Sequence, residues 1–142
     1  MGRNESNENL IWRLTDNLCY LTGKDLFIMK LSEFTEKCGF ETVNKGEDDG
    51  DRELTKVFCC DLLSFAMSRN PAGSVWVTVM GNVNSVAVAV LTDGGCIVLA
   101  EGAQLDEPAL EKAKQQGVAV LKTDMPVFDA ALAAHKLISQ GE

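Results

Sequence analysis

Histidine is almost missing from this chain, which carries only His135 in 142 residues, and tyrosine is likewise single. A metal centre assembled from several imidazoles is thereby excluded. The five cysteines (Cys19, Cys38, Cys59, Cys60 and Cys96) include no C-x-x-C pair, so they offer no zinc or iron–sulfur cradle. Their odd number and apolar neighbours read as reduced, buried thiols of a cytoplasmic protein, not as a disulfide framework. Cys59 and Cys60 cannot pair, because adjacent strand residues point to opposite faces. Positive charge is also scarce. Thirteen Lys and Arg stand against 21 Asp and Glu, for a net charge of −8, and no basic cluster occurs. Such a chain repels phosphate backbones and anionic lipid, so neither nucleic acid nor membrane is expected as a partner. Long apolar runs are missing too. The longest, residues 75–91, is interrupted by Gly81, Asn82, Asn84 and Ser85, and the polar residues 1–9 contain no apolar signal core.

What is present is an ordinary globular composition, 46% hydrophobic and 24% charged. A chain of this length makes one domain with a core that needs no disulfide or metal. After residue 28 the pattern alternates. A helix is expected near residues 31–38, with Ser32 as N-cap, Leu31, Phe34 and Cys38 near one face, and Gly39 as its stop. A short strand follows near 40–43, then a polar loop at 44–50. Residues 56–60, 74–80, 96–100 and 118–121 are short apolar or β-branched runs and read as buried strands. Residues 62–67 read as a helix ended by Asn70-Pro71-Ala72-Gly73. The helix after Asp106 has the fullest markings: an acidic cap, a Leu105–Leu110 staple, Pro108 in the first turn and Gly117 at the end. A last helix spans about 125–138, capped by Asp124. Residues 83–91 fit either a helix or a strand by periodicity. Strands alternating with helices predict an α/β fold: a mostly parallel sheet of about four to five strands, helices on both faces, and right-handed crossovers.

Four stretches carry a family resemblance: Asp51-Arg52-Glu53-Leu54-Thr55 running on to Ser64, Trp76-Val77-Thr78-Val79-Met80-Gly81-Asn82-Val83-Asn84, Ile97-Val98-Leu99-Ala100-Glu101-Gly102, and Leu121-Lys122-Thr123-Asp124-Met125-Pro126. Together they resemble the DRTGG family over residues 29–138. The chain departs from the namesake motif, having Lys56 and Val57 where many members carry two glycines. The resemblance implies a fold like the N-terminal domain of HPr kinase/phosphorylase, and the helix reading of 83–91. It implies a regulatory or assembly role, as in some phosphotransacetylases and beside CBS domains. It also implies a setting in the energy or redox metabolism of anaerobic bacteria, with a hydrogenase-associated or electron-transfer protein among the partners. It does not imply a kinase here, because no G-x-x-x-x-G-K-[ST] loop exists to hold phosphates.

The candidate site follows from topology. Parallel strands joined by helices bring their carboxyl ends to one edge, where ligands of α/β sheets bind. Asp61, Asn82, Asn84, Glu101 and Thr123 are expected there as ligand-binding residues. Each also has a plain structural reading. Asp61 reads as the cap of the helix starting at Leu62, or with Glu101 as an acid pair. Asn82 reads as an N-cap, while a second amide at Asn84 is more than a cap requires. His135 reads as a packing or capping residue near the apolar side of its helix. No nucleophile–base pair and no cofactor motif is seen, so we expect no catalytic residue, no metal and no cofactor. The expected function is non-catalytic: a regulatory domain sensing a small metabolite or nucleotide. The alternative is an assembly module without a small ligand, and a homodimer or larger oligomer is expected. Residues 1–28 stand apart, with Ile11, Leu14, Leu18 and Leu21 at helical spacing. They are expected to be an extension outside the domain or the product of a misassigned start. Lys24-Asp25 can be encoded with a ribosome-binding sequence a short spacer before Met29. Residues 29–142 are then the domain.

Overall fold

The computed structural model describes residues 28–46 and 52–140. The expectations for residues 1–27, including Cys19, lie outside the described residues. The first described elements are β1 (Met29–Lys30), α1 (Leu31–Lys37) and β2 (Glu41–Asn44). Then come β3 (Glu53–Leu54), β4 (Lys56–Cys59), α2 (Leu63–Arg69), β5 (Ser74–Thr78) and α3 (Val83–Leu91). The chain continues through β6 (Cys96–Leu99), α4 (Glu107–Gln116), β7 (Val120–Lys122) and α5 (Val127–Gln140). The main sheet has the order β2-β7-β6-β5-β4. Strands β4 to β7 are parallel, and β2 runs antiparallel on the β7 edge. β1 and β3 form a separate antiparallel ribbon. The α/β architecture is the one the sequence pattern predicts.

The central strands β5 and β6 are mostly apolar because both faces are covered. Every residue of β5 and β6 is buried. Trp76, Ile97, Leu99 and Val120 turn to one face and meet Ala66, Val86, Ala89, Ala109 and Ala113 from α2, α3 and α4. These are the crossover helices of consecutive strands, and right-handed crossovers place them together. Val75, Val77, Val98 and Leu121 turn to the other face, where Phe34 of α1 and Ala130 and Ala134 of α5 close the core. Phe34 and Phe40 meet edge to face with ring centroids 6.3 Å apart.

The helix signals hold unevenly. Asp106 caps α4, accepting from the Ala109 amide at 2.9 Å, and Gly117 ends it with φ 70°. Residues 83–91 form a helix capped by Asn82. Ser32 is not a cap: α1 starts one residue earlier and Lys30 holds the cap position without a side-chain bond. Asp61 does not cap α2, whose N-cap is Leu62, also without a side-chain bond. The thiols are not uniformly buried: Cys96 is, Cys38 and Cys60 are half-buried, and Cys59 is exposed. His135 is exposed as well.

Candidate functional site

The carboxyl ends of β4 to β7 share one edge, and the loops that leave it are tied to one another by hydrogen bonds. Asp61 follows β4. Its Oδ1 accepts from Thr78 Oγ1 at 2.6 Å and from the Val79 amide at 2.9 Å, so it fastens the ends of β4 and β5. That is why it does not cap α2: its carboxylate is already used across the strand pair. Gly81 lies against the loop before α4. Its carbonyl accepts from the Asp106 amide at 2.9 Å, and a side chain there would collide with the Gln104 carbonyl oxygen. Glycine is required by that close approach.

Asn82 spends its side-chain oxygen on the start of α3, accepting from the amides of Asn84 at 2.9 Å and Ser85 at 3.1 Å. Asn84 is exposed in the first turn of the helix. Ser85 is buried, and its hydroxyl finds no hydrogen-bond partner among the described residues. Sequence patterning gave no reason to single it out, since a serine in the first turn of a helix ordinarily faces solvent.

Glu101 and Gly102 both have positive φ, 59° and 73°. The left-handed conformation is costly for glutamate, of order 1 kcal/mol or more. The turn is held by a clamp. The Glu101 amide donates to the Met125 carbonyl at 2.8 Å, and the Gly102 amide donates to the Thr123 carbonyl at 3.0 Å. Glu101 Oε2 accepts from the Val127 amide at 2.9 Å, at the first residue of α5. Glu101 thus fills the capping role expected of Asp124. Thr123 Oγ1 accepts from the Met125 amide at 3.2 Å. Glu101 and Thr123 are therefore brought together, and Asp61 is joined to β5. Nothing bonds either group directly to Asn84. Arg52, from the first motif, lies at the opposite end of the strands, where its guanidinium donates to the Asp93 carbonyl oxygen at 2.9 Å and pairs with the Asp93 carboxylate.

Two hollows open on this framework. The larger, about 810 Å³, lies beside β2 and α1, floored by Leu31, Ala119 and Leu121 and edged by Glu36, Asn44 and Lys45. It lies away from the strand-end loops. The smaller, about 240 Å³, lies at the carboxyl end of β7 and is lined by Gly39, Glu41, Gly102, Gln104, Lys122, Thr123 and Asp124. Its lining mixes both charges with amide and hydroxyl groups, which suits a polar ligand better than the apolar floor of the larger hollow does. Lys122 stands 3.9 Å from Glu41 across it. Of the five expected site residues, Thr123 alone lines it.

Among the described residues no group of three His, Cys, Asp or Glu side chains is placed to hold a metal ion. Burial raises the Cys96 thiol far above its ordinary range, with the nearby Cys38 adding to the rise. Burial also raises Cys38 and Cys59, and the Asp61 carboxylate adds to the rise at Cys59. Thiols held in the neutral form are poor nucleophiles, and the Arg52 charge that lowers Cys96 does not offset its burial. Among the described residues no helix is long and apolar enough to cross a membrane.

No protein-family model matches the sequence. No curated protein matches it either. Among solved structures, the chain is similar to the CBS and DRTGG domains of the regulatory region of Clostridium perfringens pyrophosphatase, a structure complexed with the activator diadenosine tetraphosphate. The TM-score is 0.62 at 14% sequence identity, over 79% of this chain and 48% of that one. The chain thus spans about half the length of the solved structure it matches, and what the two share is an α/β fold found in a CBS and DRTGG regulatory region.

Proposed function

We propose that this protein is a non-catalytic regulatory domain of the DRTGG type, which senses a small polar ligand, a nucleotide or metabolite, at the carboxyl edge of its sheet. One observation carries the reading: the two acids of that edge are committed to holding it together. Asp61 is bonded to Thr78 and Val79, and Glu101 to Val127. A carboxylate already accepting such bonds is poorly placed for proton transfer, whereas a rigid edge with a polar hollow beside it is suited to recognition. Lys122, Thr123 and Gln104 would meet the anionic or hydroxyl parts of the ligand, and Glu41 and Asp124 its cationic parts or a carried Mg²⁺. Asn84 supplies a further amide on the same edge. The nucleotide in the similar solved structure makes nucleotides the first class to try. A cytoplasmic setting follows from the cysteine usage, and a link to hydrogenase or electron-transfer partners from the family resemblance alone.

A thermal-shift screen of adenine nucleotides, diadenosine tetraphosphate and small metabolites, with and without Mg²⁺, tests this. A ligand at one hundred times its Kd stabilises by about 2.7 kcal/mol and raises the midpoint by several degrees. Lys122→Ala and Thr123→Ala should each abolish that rise with the unliganded midpoint unchanged. A ligand whose shift survives both substitutions binds elsewhere, and that result overturns the site.

A second reading, an assembly module, is favoured by a specific observation: large apolar side chains left on the surface. These include Phe128, Leu91, Leu62 and Phe65, at 70, 71, 56 and 54% exposure.

A further inference from the structure

Helix α5 packs on the core through one face and carries two large apolar side chains, Phe128 and Leu132, on the other. Ala130 and Ala134 are fully buried against the sheet, with Val127, Ala131, Leu137 and Ile138 beside them. At 100° per residue, Phe128, Leu132, His135 and Ser139 fall on the opposite side, at spacings of four, three and four. Phe128 is 70% exposed and Leu132 38%. A 4-3-4 stripe is the seam of a helix pair, and Phe128 at its start is an aromatic, the residue type enriched in interfaces.

The charges beside the stripe say what fits on it. Asp129 and Lys136 are seven residues apart and so lie on the same flank of the seam, each one residue past a seam position. Among the described residues neither has an ion-pair partner. When two copies of one helix pack antiparallel, the same flank of each faces the other. Asp129 of one copy then approaches the partner's Lys136, and the reverse pair forms by symmetry. Packed parallel, these flanks lie apart and the two pairs do not form. The stripe is therefore self-complementary in one orientation, which is the requirement of a two-fold interface.

We infer that α5 is a homodimerisation helix, pairing antiparallel with α5 of a second copy through Phe128, Leu132 and His135, with the Asp129–Lys136 pairs setting the orientation. The inference rests on the assembly reading and holds whether or not a ligand occupies the sheet edge. A seam of one helix buries less than a standard interface, so the dimer should dissociate at roughly micromolar concentration.

Analytical ultracentrifugation of the full chain, across nanomolar to hundred-micromolar concentrations, tests it. The wild type should pass from monomer to dimer. Phe128→Glu should remain monomeric at the highest concentration, with an unchanged circular-dichroism spectrum. Asp129→Lys alone and Lys136→Asp alone should each weaken the dimer at least tenfold. An equimolar mixture of those two variants should form heterodimers, because every facing pair is then opposite in sign. The double variant should recover the wild-type constant. A wild type that stays monomeric overturns both this inference and the assembly reading. A dimer indifferent to all three positions leaves the assembly reading standing and overturns this surface.

Discussion

The two faces of the main sheet are closed by different means. One is covered by α2, α3 and α4, each the connection between neighbouring strands. The other is covered by α1 and α5, which come from opposite ends of the described chain. On the crossover face the sheet contributes its largest side chain, Trp76, fully buried with its indole N–H donating to the Cys60 carbonyl at 3.0 Å. On the return face the sheet is lined mainly by valines, and α5 meets it through Ala130 and Ala134. The first face is filled by bulk between helices set by local connection. The second is closed by a helix small enough on its inner side to lie close. The difference teaches that α5 lies close on the sheet through Ala130 and Ala134, with Val127, Leu137 and Ile138 beside them, and leaves Phe128 and Leu132 for another surface.

Substitutions separate the two modes of closure. The largest loss is expected from Trp76→Ala, which leaves a cavity under three helices and an unpaired Cys60 carbonyl: about 3–5 kcal/mol, measured by urea denaturation. Ala134→Leu should cost about 1–3 kcal/mol by forcing α5 off the sheet. The same denaturation series checks it, and a neutral result would show that the return face is loosely packed. The next effect is pH-dependent. Cys96, on the return face, is held neutral by burial, whereas in the unfolded chain it ionises near its ordinary value of 9.0. The raised folded value means that stability is fully present below pH 9 and falls as pH rises past it. Urea midpoints between pH 8 and 10 should therefore drop more steeply for the wild type than for Cys96→Ala. The smallest effect is expected at Asn84, whose exposed side chain touches neither face: Asn84→Ala should change stability by less than about 0.5 kcal/mol. If the proposed sensing role holds, it should weaken the ligand-induced thermal shift. A loss of several kcal/mol would make Asn84 structural.

Much of the site's framework was legible in residue order, but its use was not. Asp61, Asn82, Glu101 and Thr123 follow strands, and a parallel sheet must bring them to one edge. Which of them stay free depended on partners distant in sequence. Asp61 is held by Thr78 and Val79, seventeen and eighteen residues on, and Glu101 by Val127, twenty-six residues on. Asn82 was legible as a cap because its partners are two and three residues away. The polar hollow was not legible, since Gly39 and Glu41 reach it only because β2 folds back antiparallel beside β7.

The sequence by itself determined the α/β class, the four parallel strands and the markings of α4, because alternating apolar runs, Asp106 and Gly117 act within a few residues of themselves. The helix at 83–91 was left open by periodicity, and the structure decided it: a strand there would deprive the crossover face of Val86 and Ala89. Only the tertiary structure decided that α1 and α5 close the return face, that Cys59 and His135 are exposed, and that Phe128 faces outward. The physical reason is common to all three. Periodicity fixes which residues share a face of an element, whereas which of two apolar faces is buried depends on what the rest of the chain brings against it.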